Sequence, residues 1–202
     1  MLDRSYAAWL IDLDGTLYHK EPVRLAMAAE LAIAGWGAIP TLRAFRKQHE
    51  QRRQATAGTQ LDPYRQQLQA TAAHRGTSEE KVQAIVNRWM FERPLKWLSL
   101  CKRRSLLTQI AEYRTQGGRT ALVSDYPAQA KLLALGAREL FDAVIASGEE
   151  GGPQRLKPDP QGYLLASQAL HIAPERCLVI GDRDDADGQA ARSASMAFAL
   201  IR

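Results

Sequence analysis

Ala7-Ala8-Trp9-Leu10-Ile11 runs directly into Asp12-Leu13-Asp14-Gly15-Thr16, an apolar stretch that ends in two carboxylates, a glycine and a hydroxyl. Five apolar residues without alternation suit a strand covered on both faces. Three similar runs follow, Thr120-Ala121-Leu122-Val123, Ala143-Val144-Ile145-Ala146 and Cys177-Leu178-Val179-Ile180, and a fifth lies at Phe198 to Ile201. Helical stretches separate the later runs: Ser105 to Gln116 with Leu106, Leu107, Ile110 and Tyr113 on one face, Pro127 to Leu135 stopped by Gly136, and Pro160 to Leu170. This alternation predicts an α/β fold with a mostly parallel sheet covered on both faces.

Residues 22 to 92 break the rhythm, with helical periodicity and no strand between. Leu25, Ala29, Ala32, Ile33 and Trp36 recur at helical spacing, as do Val82, Ile85, Val86 and Trp89, and Thr77-Ser78-Glu79-Glu80 resembles a capping box opening the latter helix. The segment therefore reads as a helical insertion between the first two strands. Its tryptophans, Trp36, Trp89 and Trp97, are expected to pack rather than to stack on substrate. The insertion also holds the chain's basic excess: residues 19–98 carry 13 Lys and Arg against 7 Asp and Glu, while the rest carries 14 against 15. Arg43, Arg46, Lys47 and Arg53 recur there at roughly helical spacing and read first as a solvated face, second as a field that steers an anionic substrate.

Composition excludes several classes. Of the 202 residues 46% are hydrophobic and 24% charged, ordinary for a globular chain, and no run approaches the ~18 apolar residues of a membrane span. The two cysteines, Cys101 and Cys177, are too few for a disulfide framework, and the start of the chain shows no targeting signal. A soluble cytoplasmic protein with no membrane contact is expected. Interleaved aromatics of a nucleic-acid-binding surface are absent, so no nucleic-acid partner is expected, and the oligomeric state is left open.

Ligands of open parallel sheets gather at the carboxyl ends of the strands. Here the first run delivers Asp12, the second Ser124 and the fourth Gly181-Asp182, while Lys157 follows the third after a loop rich in Gly and Glu. Each alone is ordinary turn chemistry. Their joint order resembles the haloacid dehalogenase-like (HAD) hydrolase superfamily: Asp12-Leu13-Asp14-Gly15-Thr16, Ser124, Lys157 in Leu156-Lys157-Pro158-Asp159-Pro160, and Gly181-Asp182-Arg183-Asp184-Asp185-Ala186-Asp187 match its four motifs. The resemblance implies a Rossmann-like three-layer core over residues 1–18 and 99–202, with an α-helical cap over 19–98.

The residue types suit phosphoryl transfer. A carboxylate can attack phosphorus and split one displacement into two, which makes Asp12 the candidate nucleophile. Asp14, two residues on along an extended segment, is the candidate general acid and base. Thr16 and nearby amides can hold phosphate oxygens, Ser124 can donate to the transferred group, and Lys157 can neutralise nucleophile and phosphate together. Clustered carboxylates beside a phosphate call for a cation, and the resemblance implies Mg²⁺ held by the Asp12 carboxylate, the Asp14 carbonyl and Asp182. Asp187 matches the second acidic position at the longer family spacing and is preferred to Asp185, with Asp184 equally near in sequence. Tyr18, His19 and Lys20 follow the catalytic loop closely enough to reach a leaving group, although His19 also reads as an exposed loop histidine.

By resemblance the activity is Mg²⁺-dependent hydrolysis of a small phosphate monoester through an aspartyl phosphate, with phosphoglycolate, sugar phosphates or nucleoside monophosphates as substrate types. Phosphomutase, or an idle module binding a phosphorylated ligand or a protein, is the alternative. Dehalogenation and phosphonate cleavage are disfavoured because the acid at position 14 is kept. Departures from the pattern are Asp125 where relatives often carry Asn, Ala194-Ser195-Met196 in place of an Ala-Gly pair, and an end at Arg202 where many relatives add a helix.

Overall fold

The computed structural model describes residues 2–53 and 62–201. Five strands, β1 (Ala8–Asp12), β2 (Arg119–Ser124), β3 (Ala143–Ala146), β4 (Cys177–Gly181) and β5 (Ala197–Leu200), form one sheet in the order β3-β2-β1-β4-β5. Every neighbouring pair is parallel. Helices α6 (Arg104–Thr115), α7 (Gln129–Leu135), α8 (Gln161–Leu170) and α9 (Gln189–Ser193) complete a Rossmann-like α/β core.

The period of two along β1 explains the layers. Trp9 and Ile11 join one apolar cluster with Ile110, Tyr113 and Leu132 of α6 and α7, whereas Ala8 and Leu10 join another with Tyr163, Ala166 and Ala190 of α8 and α9. Trp9 stacks flat on Tyr113, ring centroids 4.0 Å apart. All five β1 residues are buried, so the continuous apolar run is what a central strand requires.

Between β1 and β2 lie α1 (Lys20–Ala34), α2 (Ile39–Arg53), α3 (Pro63–Arg75), α4 (Glu79–Val86) and α5 (Leu95–Cys101), with a π-helical turn at Asn87–Glu92. The chain leaves the core and returns to it side by side. Tyr18 and Lys102 form an antiparallel bridge, the His19 N–H donates to the Cys101 carbonyl at 2.9 Å, and the Arg103 N–H donates to that of Leu17 at 2.9 Å.

Two local expectations change. The stripe of Leu25, Ala29, Ala32, Ile33 and Trp36 is exposed, and α1 instead buries Val23 and Met27. An alanine-rich helix is apolar nearly all round, so periodicity cannot choose its inner face. Trp36 therefore does not pack as expected, being 69% exposed, while Trp89 is buried and the half-buried Trp97 donates to Glu30. The cap of α4 is Ser78, which accepts from the Lys81 N–H, one residue later than a Thr77–Glu80 box places it. Among the described residues no single helix is long and apolar enough to cross a membrane.

Candidate active site

Asp12 ends β1, and in register with its neighbours Asp12 stands beside Val123 and Ile11 beside Ile180. The carboxyl ends of β1, β2 and β4 therefore bring Asp12, Ser124 and Gly181-Asp182 together. The turn after Asp12 depends on Gly15, whose φ of +102° belongs to glycine and whose missing Cβ leaves room for the Asp182 carboxylate. Thr16 is fully buried and its hydroxyl donates to Asp12 Oδ2 at 2.9 Å.

Lys157 lies beneath this turn and is 4% exposed. Its ammonium donates to Asp12 Oδ1, to Asp187 Oδ1 at 2.8 Å and to the Val123 carbonyl at 3.3 Å. Asp187 also accepts from the Tyr163 hydroxyl at 2.8 Å and the Arg183 N–H at 3.3 Å. Two carboxylates thus share one buried cation. Burial, followed by the charges of Asp187 and Asp14, outweighs Lys157 and pushes the Asp12 carboxyl up to about 7, while its acidic partners hold Lys157 well above the usual ammonium range despite burial.

Asp14 points into the same space with a third of its side chain open. Burial would raise its pKa, but Lys131, bonded to both oxygens at 2.6 and 2.7 Å, and the Tyr18 hydroxyl at 2.5 Å hold it below the ordinary value. Sequence reading missed Lys131. Its only local signal is a lone cation among Ala130, Leu132, Leu133, Ala134 and Leu135 of α7, a pattern that a solvated lysine shares, and the contact with Asp14 is what sets it apart.

Asp12, Asp14, Lys131, Lys157 and Asp187 line one cavity of about 890 Å³ between the carboxyl ends of the strands and the inserted helices, together with Tyr18, Lys20, Ser124, Asp125 and Asp182. The insertion contributes Arg24, Arg46, His49, Glu50 and Arg53 as polar wall and Met27, Leu31, Leu42, Trp89 and Phe91 as apolar wall. Two expected contacts differ: His19 is exposed at the start of α1 and is not among the lining residues, and Thr16 turns its hydroxyl to Asp12 rather than to the cavity. Of the four recurring cap cations, read first as a solvated face, Arg46 and Arg53 line the cavity and Arg43 and Lys47 do not.

Asp12, Asp182 and Asp187 each offer an oxygen within 4.8 Å of the others. Asp184 and Asp185 are exposed and pair with Arg192 and Arg183. Five carboxylates, those of residues 12, 14, 125, 182 and 187, meet four cations, Lys20, Arg53, Lys131 and Lys157. A phosphate dianion added to that set leaves unbalanced negative charge, and hard oxygen donors at this spacing suit a divalent cation such as Mg²⁺.

The model of haloacid dehalogenase-like hydrolases matches residues 6–195. The chain belongs to that family. As a HAD hydrolase it is 27% identical to the fructose-1-phosphate phosphatase YqaB of Escherichia coli (strain K12), over 98% of this chain and 97% of that protein. It is 36% identical to the glyceraldehyde 3-phosphate phosphatase of Methanopyrus kandleri, over 36% of this chain and 30% of that one. In fold the HAD hydrolase is similar to L-2-haloacid dehalogenase from Xanthobacter autotrophicus, with a TM-score of 0.67, 22% identity and coverage of 97% and 77%. It is likewise similar to β-phosphoglucomutase from Clostridium difficile, with a TM-score of 0.64, 16% identity and coverage of 98% and 85%.

Proposed function

We propose that this HAD hydrolase is a Mg²⁺-dependent phosphatase that cleaves a small phosphate monoester through an aspartyl phosphate on Asp12. The observation that carries the reading is Asp14, a second carboxylate in the same cavity as Asp12, clamped by Lys131 and Tyr18. Cleaving a P–O bond to an alkoxide needs a proton donor, and releasing the phosphate needs a base for water, so one acid near the nucleophile serves both halves. Among substrate types, the names of the sugar- and triose-phosphate phosphatases to which the chain is similar favour a sugar phosphate over phosphoglycolate or a nucleoside monophosphate.

In this reading Ser124 and Lys157 hold the transferred group, Thr16 orients the nucleophile through its 2.9 Å bond to Asp12, and Tyr18 orients Asp14. The Asp12 carboxylate, the Asp14 carbonyl and Asp182 would hold Mg²⁺, with Asp187 as ligand or orienter. When bound it supplies positive charge to the phosphate oxygens. The helices of residues 19–98 act as the cap over a core of residues 1–18 and 99–202, keeping water from the cavity and reading the leaving group.

The test is a panel of sugar phosphates, phosphoglycolate and nucleoside monophosphates assayed with Mg²⁺ and after chelation. Release of phosphate from at least one sugar phosphate, lost with EDTA and restored by Mg²⁺, is expected; turnover that survives chelation defeats the metal assignment. The Asp14 clamp makes a separate expectation. Free-enzyme kcat/KM requires protonated Asp14 for the first half-reaction, and Lys131 favours the ionised form. Lys131→Met therefore moves the alkaline limb of the kcat/KM profile to higher pH, and an unmoved limb assigns it to another group.

A further inference from the structure

The geometry points to Asp125 as a positioning residue that transmits the seating of the inserted helices to the loop carrying Lys157. The consequence for catalysis rests on the phosphatase reading; the coupling itself does not. Asp125 follows β2 and is 9% exposed. Its two oxygens serve different parts of the chain. Oδ1 accepts the backbone N–H of Lys157 at 3.1 Å, and Oδ2 accepts the Arg53 guanidinium at 2.7 Å, at the end of α2. His49, one turn earlier on α2, faces Oδ2 at 3.8 Å and stacks on Tyr126 with centroids 4.4 Å apart. One buried side chain thus ties together three segments that the backbone does not join locally.

The coupling follows from the cost of burying charge. A carboxylate this far from water persists only when paired and hydrogen-bonded, and losing one partner leaves an uncompensated charge that must regain solvent. If α2 withdraws Arg53, Asp125 has reason to turn outward, and Oδ1 then leaves the Lys157 amide. Arg53 is held in a complementary way: among the described residues its Nε is buried without a hydrogen-bond partner, and its Nη2 donates to Asp125. The insertion touches the sheet edge at a second point, where Asp62 accepts from the Ser147 hydroxyl and the Gly148 N–H, each at 3.0 Å. Asp62 thus meets the start of the loop, next to β3, and among the described residues it makes no hydrogen bond to Lys157 or Asp125 at the loop's far end, which makes it the control.

The experiment is hydrogen exchange of the whole protein, read on the peptide containing the Lys157 amide, in wild type, Arg53→Gln, Arg53→Lys, Asp125→Asn and Asp62→Ala. Loss of the ion pair in Arg53→Gln is expected to speed that amide about tenfold. Arg53→Lys restores most of the protection, Asp125→Asn lies between because its oxygen can still accept, and Asp62→Ala leaves the amide unchanged. In steady-state assays Arg53→Gln and Asp125→Asn lower kcat more than they raise KM, and their double variant loses less than the product of the two. Wild-type protection of the Lys157 amide in folded Arg53→Gln overturns the coupling, as does equal loss in Asp62→Ala. Should Arg53→Gln not fold, wild-type protection of the Lys157 amide in folded Asp125→Asn overturns it equally. Coupled exchange without turnover of any phosphate monoester leaves the coupling standing and removes the phosphatase reading.

Discussion

Asp12→Asn abolishes phosphate release and at the same time raises the melting temperature above pH 7. The loss is expected to reach about 10⁴-fold or more in kcat, since an amide oxygen cannot form the acyl phosphate. The gain in stability comes from the same environment. Asp12 is raised from 3.8 to about 7 in the folded protein, so the folded form holds a proton that the unfolded chain has released. A group shifted in this direction contributes stability that is complete below the unfolded value and is lost as pH rises through the folded one. Above pH 7 the wild type pays that full penalty, with two carboxylates on one buried ammonium. Asparagine keeps the shape, leaves Lys157 and Asp187 as a neutral pair, and lets the Thr16 hydroxyl rotate to accept from the amide. Melting curves in EDTA at pH 5 and pH 8 check this: the variant's advantage over wild type is larger at pH 8, and full turnover in the variant removes Asp12 as nucleophile.

Lys157→Met is expected to cost both activity and fold. It strands Asp12 and Asp187 in a place with almost no water, and removing one partner of a buried ion pair costs about 3–5 kcal/mol. For a chain of this size that lowers the melting temperature by roughly 10 °C. Activity falls by about 10²–10³-fold, the usual cost of losing one fixed charge at a developing negative centre. Mg²⁺ separates the two effects. With Lys157 gone, a divalent cation among Asp12, Asp182 and Asp187 relieves more repulsion than in wild type, so saturating Mg²⁺ raises the variant's melting temperature by a larger increment while turnover stays low. An equal increment in both proteins shows that the acidic cluster does not share its charge balance with Lys157.

Legibility in the sequence followed the strength of the local signal. The run Ala143 to Ala146 coincides with β3, and the other strands differ from their apolar runs by one residue at the ends. The central strands β1, β2 and β4, buried on both faces, must be continuously apolar, and the half-buried edge strands β3 and β5 are short apolar runs as well. Helices that pack one face on the sheet were equally readable, as with Leu106, Ile110 and Tyr113 of α6. The inner face of α1 was not, because alanine contributes little to either side of a helix and tertiary contact alone selects Val23 and Met27. Lys131 lay hidden as one cation in an apolar helix, and its partner Asp14 is 117 residues away.

By itself the sequence determined the α/β class, the insertion between the first two strands, and the order in which Asp12, Ser124, Lys157 and Asp182 follow their strands, since each is written in local periodicity or in the residue ending an apolar run. Only the tertiary structure separates Asp184, Asp185 and Asp187 in space: the first two turn outward to arginines, while Asp187 turns under Gly181 to Lys157 and Tyr163. It also decided that His19 stays outside the cavity and that Arg53 enters it to meet Asp125. Three carboxylates within four residues are chemically alike, and what separates them is desolvation and charge from segments distant in sequence.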